Sequence, residues 1–395
     1  MHWLKSLVPA GAKRILLAIE AIGYRTTLAA LVPINSALAR VLAGRVRPGT
    51  VLHVSAMVHV PYYMVRILRE HGVKADYLAV GPSPWWDQAD YHFRPTRWPL
   101  ASVLKEMWWV WKVVSRYQIV HSHFMVTVTR TGWEWPLLRR MGRHIVVHYR
   151  GCEIRNRESN QQLHPDMNIC QECDYDPRPC ATPLNEHRRR LAAEYGSAFL
   201  VTTPDMKDFA PEARHIPFFV MQPERVAAPS IARAARAFKI VHATNHPGIE
   251  GSRHIRRAVE SLRAKGYDIT YVELTGVTHE RVMQELTDAD LSIGKLKMGY
   301  YANLQIESMA AGVPTITHVR PEFITGELRD SGFIFATLET LEQVLEHYLS
   351  NPVALQEKRA LARQSILALH DQAAIARQYI DLYAGLLSGG TSPGR

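Results

Sequence analysis

Three groups of residues in this chain have types and spacings suited to chemistry. The first lies within Lys295–Phe323, KLKMGYYANLQIESMAAGVPTITHVRPEF. The turn Met298-Gly299-Tyr300-Tyr301 leads into a helical run centred on Glu307, then Gly312-Val313-Pro314, then the β-branched run Thr315-Ile316-Thr317. That order predicts a helix packed between parallel strands, its N-terminus facing a cleft. Unpaired N–H groups and the helix dipole make such an end a site for an anion. Glu307 is the one carboxylate inside the run and lies two turns after Gly299. A phosphate held by the turn and a hydroxylated sugar held by Glu307 would together bind a nucleotide. The second group is Cys152, Cys170, Cys173 and Cys180, the chain's only cysteines, gathered in one segment. Cys170-Gln171-Glu172-Cys173 has the spacing of a zinc knuckle. A structural Zn²⁺ on these four, with His164 or His187 as substitutes for Cys152, is one reading; unlinked thiols are the other. The third group is His121-Ser122-His123, whose alternate histidines share one face of a strand.

Glu307-Ser308-Met309-Ala310-Ala311-Gly312-Val313-Pro314 resembles the E-A-M-A-x-G-x-P signature of the retaining family-4 glycosyltransferases. The resemblance implies the GT-B fold: two Rossmann-like α/β domains facing across a cleft, with a C-terminal helix crossing back to the first. It also implies that Glu307 holds the ribose of a nucleotide-sugar donor. Ala243–Arg253 looks like the family's donor-phosphate loop, which brings in Asn245, Gly251 and Arg253, with Ser252 placed to cap the helix. Thr275 ends the strand where the family receives the base, and Gly299, Tyr300 and Tyr301 complete the donor side. Family members often carry Lys where Glu250 stands and a second Glu where Gly299 stands. A carboxylate facing a diphosphate is repulsive, so Arg253 or Lys295 must neutralise it. In the first half, His121–Phe124 and His148–Arg155 resemble the family's D-(V/I)-x-H-x-H and H-G-(S/C)-(D/E)-x-R segments on the acceptor side. They single out His123 and Glu153 near the reacting centre and Arg150 toward an anionic acceptor or leaving phosphate. A departing diphosphate can itself take the acceptor's proton, so no cofactor is expected to be required for catalysis.

The elements that must position these residues follow from length and pattern. At 395 residues the chain fits two domains. Its hydrophobic content of 47% and charged content of 21% are those of a globular protein. A net charge of +10 implies an anionic partner. Nucleic acid is the weakest choice, because the basic residues form no recognisable module. Residues 1–47 read as a basic amphipathic segment: Lys5, Lys13, Arg14, Arg25, Arg40, Arg45 and Arg47 against Glu20 alone. That segment would lie on an anionic membrane surface, or pack on the protein itself. Its longest uncharged piece, Thr26–Ala39, is too short to span a bilayer. The expected location is cytoplasmic, on the inner face of the membrane.

Beyond it, the expected organisation is an acceptor domain at 48–222 with a cysteine-containing insertion at 150–186, and a linker at 223–237. A donor domain at 238–365, a crossing helix at 366–387 and a disordered tail at 388–395 follow. Strands are expected at Val51–Ser55, Ala75–Val80, Gln118–Val120, His144–Tyr149, Ala198–Thr202, Lys239–His242, Ile269–Leu274 and Leu291–Ile293. Pro82–Pro99 reads as a loop, and Leu100–Tyr117 and Val126–Met141 as helices. Alternating strands and helices argue for parallel sheets, with ligands beyond the strand C-termini. The partners expected are a nucleotide-diphosphate sugar and a lipid-linked or glycan acceptor. The competing reading keeps the fold as a binding or scaffold protein whose Gly299 and Glu250 mark a lost donor site.

Overall fold

The structure, a computed structural model, describes the chain apart from residues 1–19, 32–33, 35–36, 38–40, 42–44, 57–58, 82–87, 97, 177, 220–236 and 390–395. The expected linker, most of the tail and much of the N-terminal segment therefore lie outside the described residues. The chain divides into two compact units, one of residues 1–149, 183–200 and 379–395, the other of residues 150–182 and 201–378. The cysteine segment thus groups with the second unit, and the end of the last helix with the first.

In the first unit the strands are β1 (Arg47–Ser55), β2 (Lys74–Val80), β3 (Tyr91–Phe93), β4 (Tyr117–His123), β5 (His144–Tyr149) and β6 (Ala198–Val201). They lie side by side in the order β3-β2-β1-β4-β5-β6. The β1–β2, β2–β3, β1–β4 and β4–β5 pairs are parallel. Burial on both faces explains why β1 and β5 read as apolar runs rather than alternations. Register places His53 opposite His121 and His123 opposite His148, so four histidines share one face.

Three expectations are corrected here. The stretch Pro82–Pro99 is not all loop, since Tyr91–Phe93 pairs with β2. The helix expected to reach Tyr117 ends at Lys112, a short 3-10 turn follows, and Tyr117 opens β4, which carries His121 and His123 at its end. The third concerns Val126–Met141, where only Glu134–Arg140 is helical. Glu134 is the cause. Its carboxylate accepts from Val128 N at 2.7 Å, Thr129 N at 3.4 Å and the Thr129 hydroxyl, so a turn folds back over the helix start.

Residues 20–31 are helical and pack on their own unit. Tyr24 is buried beside Val103 and Met107, and its hydroxyl donates to Glu106 at 2.5 Å. Glu20 pairs with Arg130 at 2.9 Å.

The second unit holds β7 (Arg214–His215), β8 (Phe238–Ala243), β9 (Ile269–Leu274), β10 (Leu291–Ile293), β11 (Thr315–Thr317) and β12 (Phe333–Phe335). Five of these form a sheet in the order β12-β11-β10-β8-β9, with every neighbouring pair parallel. Along β8, Ile240 joins one buried cluster and Val241 the other, so helices cover both faces. Pro352–Leu369 packs tightly there: a Cβ on Gly332 would stand 2.5 Å from Ala362 Cα.

Candidate functional site

In the second unit, the helix Asn303–Ala310 begins where the sequence placed an anion site, and Gln305 reaches back to accept from Ala302 N at 2.9 Å. Glu307 is buried, and its Oε1 lies 3.2 Å from His279 Nε2. Sequence reading missed His279, which opens the helix His279–Thr287 one residue after the capping Thr278. The hydrogen bond to Glu307 holds the His279 pKa above the ordinary histidine range, against half-burial. Nearby, exposed Asn245 at the end of β8 accepts from Gly276 N at 3.3 Å, which ties it to the turn beyond exposed Thr275.

The loop expected to hold phosphate runs through the short helix Pro247–Glu250 to Gly251 and into the helix Ser252–Ala264. Gly251 takes φ 87°, a left-handed turn that favours glycine. Ser252 does not cap the helix. Its hydroxyl bonds His242 Nε2 at 2.7 Å, and His242 Nδ1 faces Ile293 O at 2.8 Å. Lys295 answers Glu250 at 3.5 Å, one of the two cation roles expected. Arg253 does something else: it pairs with Glu172, in the middle of the cysteine knuckle.

Glu172 also takes Lys297, whose Nζ donates to Gly248 O at 3.1 Å and whose side chain is 1% exposed. Asp174 accepts from Gly248 N at 3.0 Å and lies 3.3 Å from His246 Nδ1. The approach is close enough that a Cβ on Gly248 would stand 2.1 Å from Glu172 O. Burial pulls the Glu172 carboxyl upward, but Lys297, Arg253 and His254 outweigh it and hold it below the usual range. The acidic stretch 172–174 therefore sits on the loop, with Glu172 on Lys297 and Arg253 and Asp174 on Gly248 N.

A cavity of about 250 Å³ in the same unit shares Lys297 with these contacts and is lined among others by Arg155, His164, Asp205, Asp208 and Arg320. Arg320 lies over Gly299, donating its backbone N–H to Gly299 O at 3.0 Å; a Cβ on Gly299 would stand 3.0 Å from the Arg320 side chain. Arg320 Nη1 lies 2.7 Å from Asp208 Oδ2 and 3.0 Å from His164 Nε2. Arg155 and Asp205, both buried, pair at 2.9 Å. Every cation of this cavity thus has a carboxylate beside it. Of the two tyrosines, Tyr301 is a core residue whose hydroxyl meets His370 Nε2 at 3.0 Å, while Tyr300 stacks on it at 4.3 Å.

Arg150 and Glu153 begin the second unit, with Arg150 N donating to Glu153 Oε1. Burial lifts the Glu153 carboxyl above its usual range despite that bond and the adjacent arginines. His123, in the first unit, is fully buried. Among the described residues, His53, His121 and His123 are the one group of three metal-ligating side chains whose ligand atoms all lie within 4.8 Å of one another. Their rings are nearly parallel, 12–23° apart. No ion is needed to account for the cluster, because ring nitrogens have hydrogen-bond partners within the fold. They bond to neighbours instead: His53 Nδ1 to His123 Nε2 at 3.0 Å, His121 Nδ1 to the Tyr383 hydroxyl at 2.7 Å, and His121 Nε2 to His148 Nδ1 at 3.2 Å. Past His123 the strand ends in Phe124 and Met125 at φ 56° and 53°, a left-handed pair rare without glycine.

All four cysteines are thiols. Cys152, Cys170 and Cys173 pack in one cluster with Ile169, Ile249 and Met298, and Cys170 Sγ accepts from Asn160 Nδ2 at 3.2 Å. Cys170 lies within electrostatic reach of the other three, but among the described residues no three of the thiol sulfurs lie within 4.8 Å of one another.

No protein-family model and no curated protein matches the sequence. Solved structures do. A sucrose-phosphate synthase from Thermosynechococcus elongatus aligns over 86% of this chain and 99% of its own, at 15% identity and a TM-score of 0.58. HepE from Anabaena, solved with UDP and glucose, aligns over 85% and 99%, at 10% identity and 0.58. A glycosyltransferase from Rickettsia africae aligns over 86% and 98%, at 12% identity and 0.54. The fold is that of the GT-B glycosyltransferases. At these identities the likeness speaks for the fold, and the residues above must speak for the chemistry.

Proposed function

We propose that this chain is a glycosyltransferase that moves a sugar, with retention, from a nucleotide-diphosphate sugar to a lipid-linked or glycan acceptor at the inner membrane surface. The observation that carries the reading is buried Glu307, at the helix following the Gly299 turn, in one unit with the Gly251 loop and Lys295, Lys297 and Arg253. Glu307 would take the ribose hydroxyls, displacing His279. The diphosphate would take the loop N–H groups and the cations, displacing Glu172 and Asp174. Acid–base work by the protein is then secondary, because the leaving diphosphate accepts the proton while the cations stabilise its charge. Arg150 and Glu153 are assigned to the acceptor side with His123, which serves through the histidine network rather than by direct exposure. The cysteines would hold a structural Zn²⁺ that fixes the knuckle bearing Glu172.

Thermal-shift measurements with UDP, ADP and GDP test the reading. Stabilisation by at least one nucleotide, lost in Glu307→Ala, is expected. A product panel with nucleotide sugars should give an anomer of unchanged configuration; inversion would overturn retention. The placement of Glu172, Asp174 and Glu250 on the phosphate loop favours one second reading, a scaffold with a closed donor site. Indifference to every nucleotide in both wild type and Glu172→Gln would establish it.

A further inference from the structure

Among the described residues, one face of the helix Pro99–Lys112 has no covering element. Leu100, Leu104 and Trp108 recur every fourth residue and are 58%, 49% and 53% exposed, and Trp98, just before the helix, is 77% exposed. The opposite face does the ordinary work of a core helix, with Val103, Met107 and Val110 buried. The patch extends onto helical residues 20–31. Gly23 lies so near Pro99 that a Cβ on it would stand 3.3 Å from that ring, which brings Ile22, 65% exposed, beside the helix start. Exposed large apolar residues scattered singly are ordinary; a contiguous stripe led by two tryptophans is not.

Charge says what covers it. Among the described residues, the exposed charges on the helix Pro99–Lys112 are Lys105 and Lys112, Lys105 reaches Arg94 O at 2.8 Å, and Arg25 is exposed on helical residues 20–31. The one carboxylate of the helix, Glu106, is buried against Tyr24 and Trp133. Glu20, the one carboxylate of residues 20–31, is committed to Arg130. Indole rings and leucines accompanied by lysine and arginine, with no exposed carboxylate among the described residues of these two helices, match the boundary between the acyl chains and headgroups of an anionic bilayer. Among the described residues no helix is long and apolar enough to cross it. We infer that this stripe is a membrane-docking face: the helix Pro99–Lys112 lies in the interface plane of anionic lipid, with Trp98, Leu104 and Trp108 inserted. The inference rests on the membrane part of the proposed function and names the element that makes the contact.

The test is flotation of the full chain with vesicles of phosphatidylcholine alone and of an equal mixture with phosphatidylglycerol. Wild type should float with the mixed vesicles, and its tryptophan emission should shift to the blue. The exposed-residue variant Trp98→Ser/Leu104→Ser/Trp108→Ser should lose about tenfold or more in partitioning. Lys105→Gln/Lys112→Gln should narrow the difference between the two lipids. Nucleotide-induced thermal stabilisation, measured on the same variants, should be unchanged, so a failed donor site and a failed membrane face are told apart. Undiminished flotation of the triple variant would overturn the proposal and leave the basic N-terminal residues as the anchor. Absence of flotation by wild type would overturn it too. Concentration-dependent self-association of wild type, abolished by the triple variant, would then mark the stripe as a protein interface.

Discussion

Two carboxylates make opposite use of their neighbours. Glu307 waits with a histidine, and Glu172 occupies cations. The pair His279–Glu307 is partly exposed, and its histidine keeps a proton beyond the usual range. A ribose that must displace the imidazolium gains as that proton leaves, so nucleotide affinity should rise as pH climbs through the His279 pKa, above the ordinary 6.5. The stabilisation from the pair runs the other way, present below the unfolded value and lost as pH rises past the folded one. Titration calorimetry at several pH values checks the first effect, and His279→Ala should flatten the profile. Glu172→Gln should raise nucleoside diphosphate affinity about tenfold by freeing Lys297 and Arg253. Unchanged affinity would show that phosphate does not go where Glu172 sits. His279 gave no signal in the sequence, being a lone histidine near a turn. Lys297 gave one that went unread: it stands two residues after Lys295, on the same run.

At the scale of elements, the misread stretch 126–133 has a measurable signature. Glu134 is wholly buried where it gathers the turn's N–H groups, and burial pushes its pKa from 4.5 up to about 7, against the hydrogen bonds of Thr129 and Val128. A raised folded pKa means the contribution is complete below the unfolded value and is lost as pH rises through this window. Chemical denaturation should therefore show stability falling between about pH 4.5 and 7, by an amount on the order of 3 kcal/mol. Glu134→Gln, which keeps acceptor and donor in place, should remove most of that slope. The pattern misled because Val126–Met141 has helical apolar spacing, while a side chain bonding its own preceding backbone is invisible to spacing. The strands were legible for the opposite reason: parallel strands buried on both faces favour continuous apolar runs, and Ile145–Val147 marks the middle of β5. β3 escaped notice because three residues carry too little pattern, and pairing to β2 supplies the rest.

For the molecule as a whole, metal analysis of freshly purified, reduced protein should find one Zn²⁺ per chain. Cys173→Ser should lower both zinc content and melting temperature, since the metal is expected to hold the knuckle. Wild-type protein without zinc would end that assignment. Two α/β sheets, a helix around Glu307, a glycine turn at 251 and the gathering of four cysteines were all determined by the sequence alone. Each depends on neighbours within one or two turns of chain, where spacing, turn residues and propensity act. The tertiary structure decided which charges meet. Lys297 finds Glu172 across 125 residues, Arg320 moves over Gly299 because no side chain stands there, and His123 closes into a buried network rather than a surface. Coulomb attraction and desolvation depend on distance in space, and only the folded chain sets that distance.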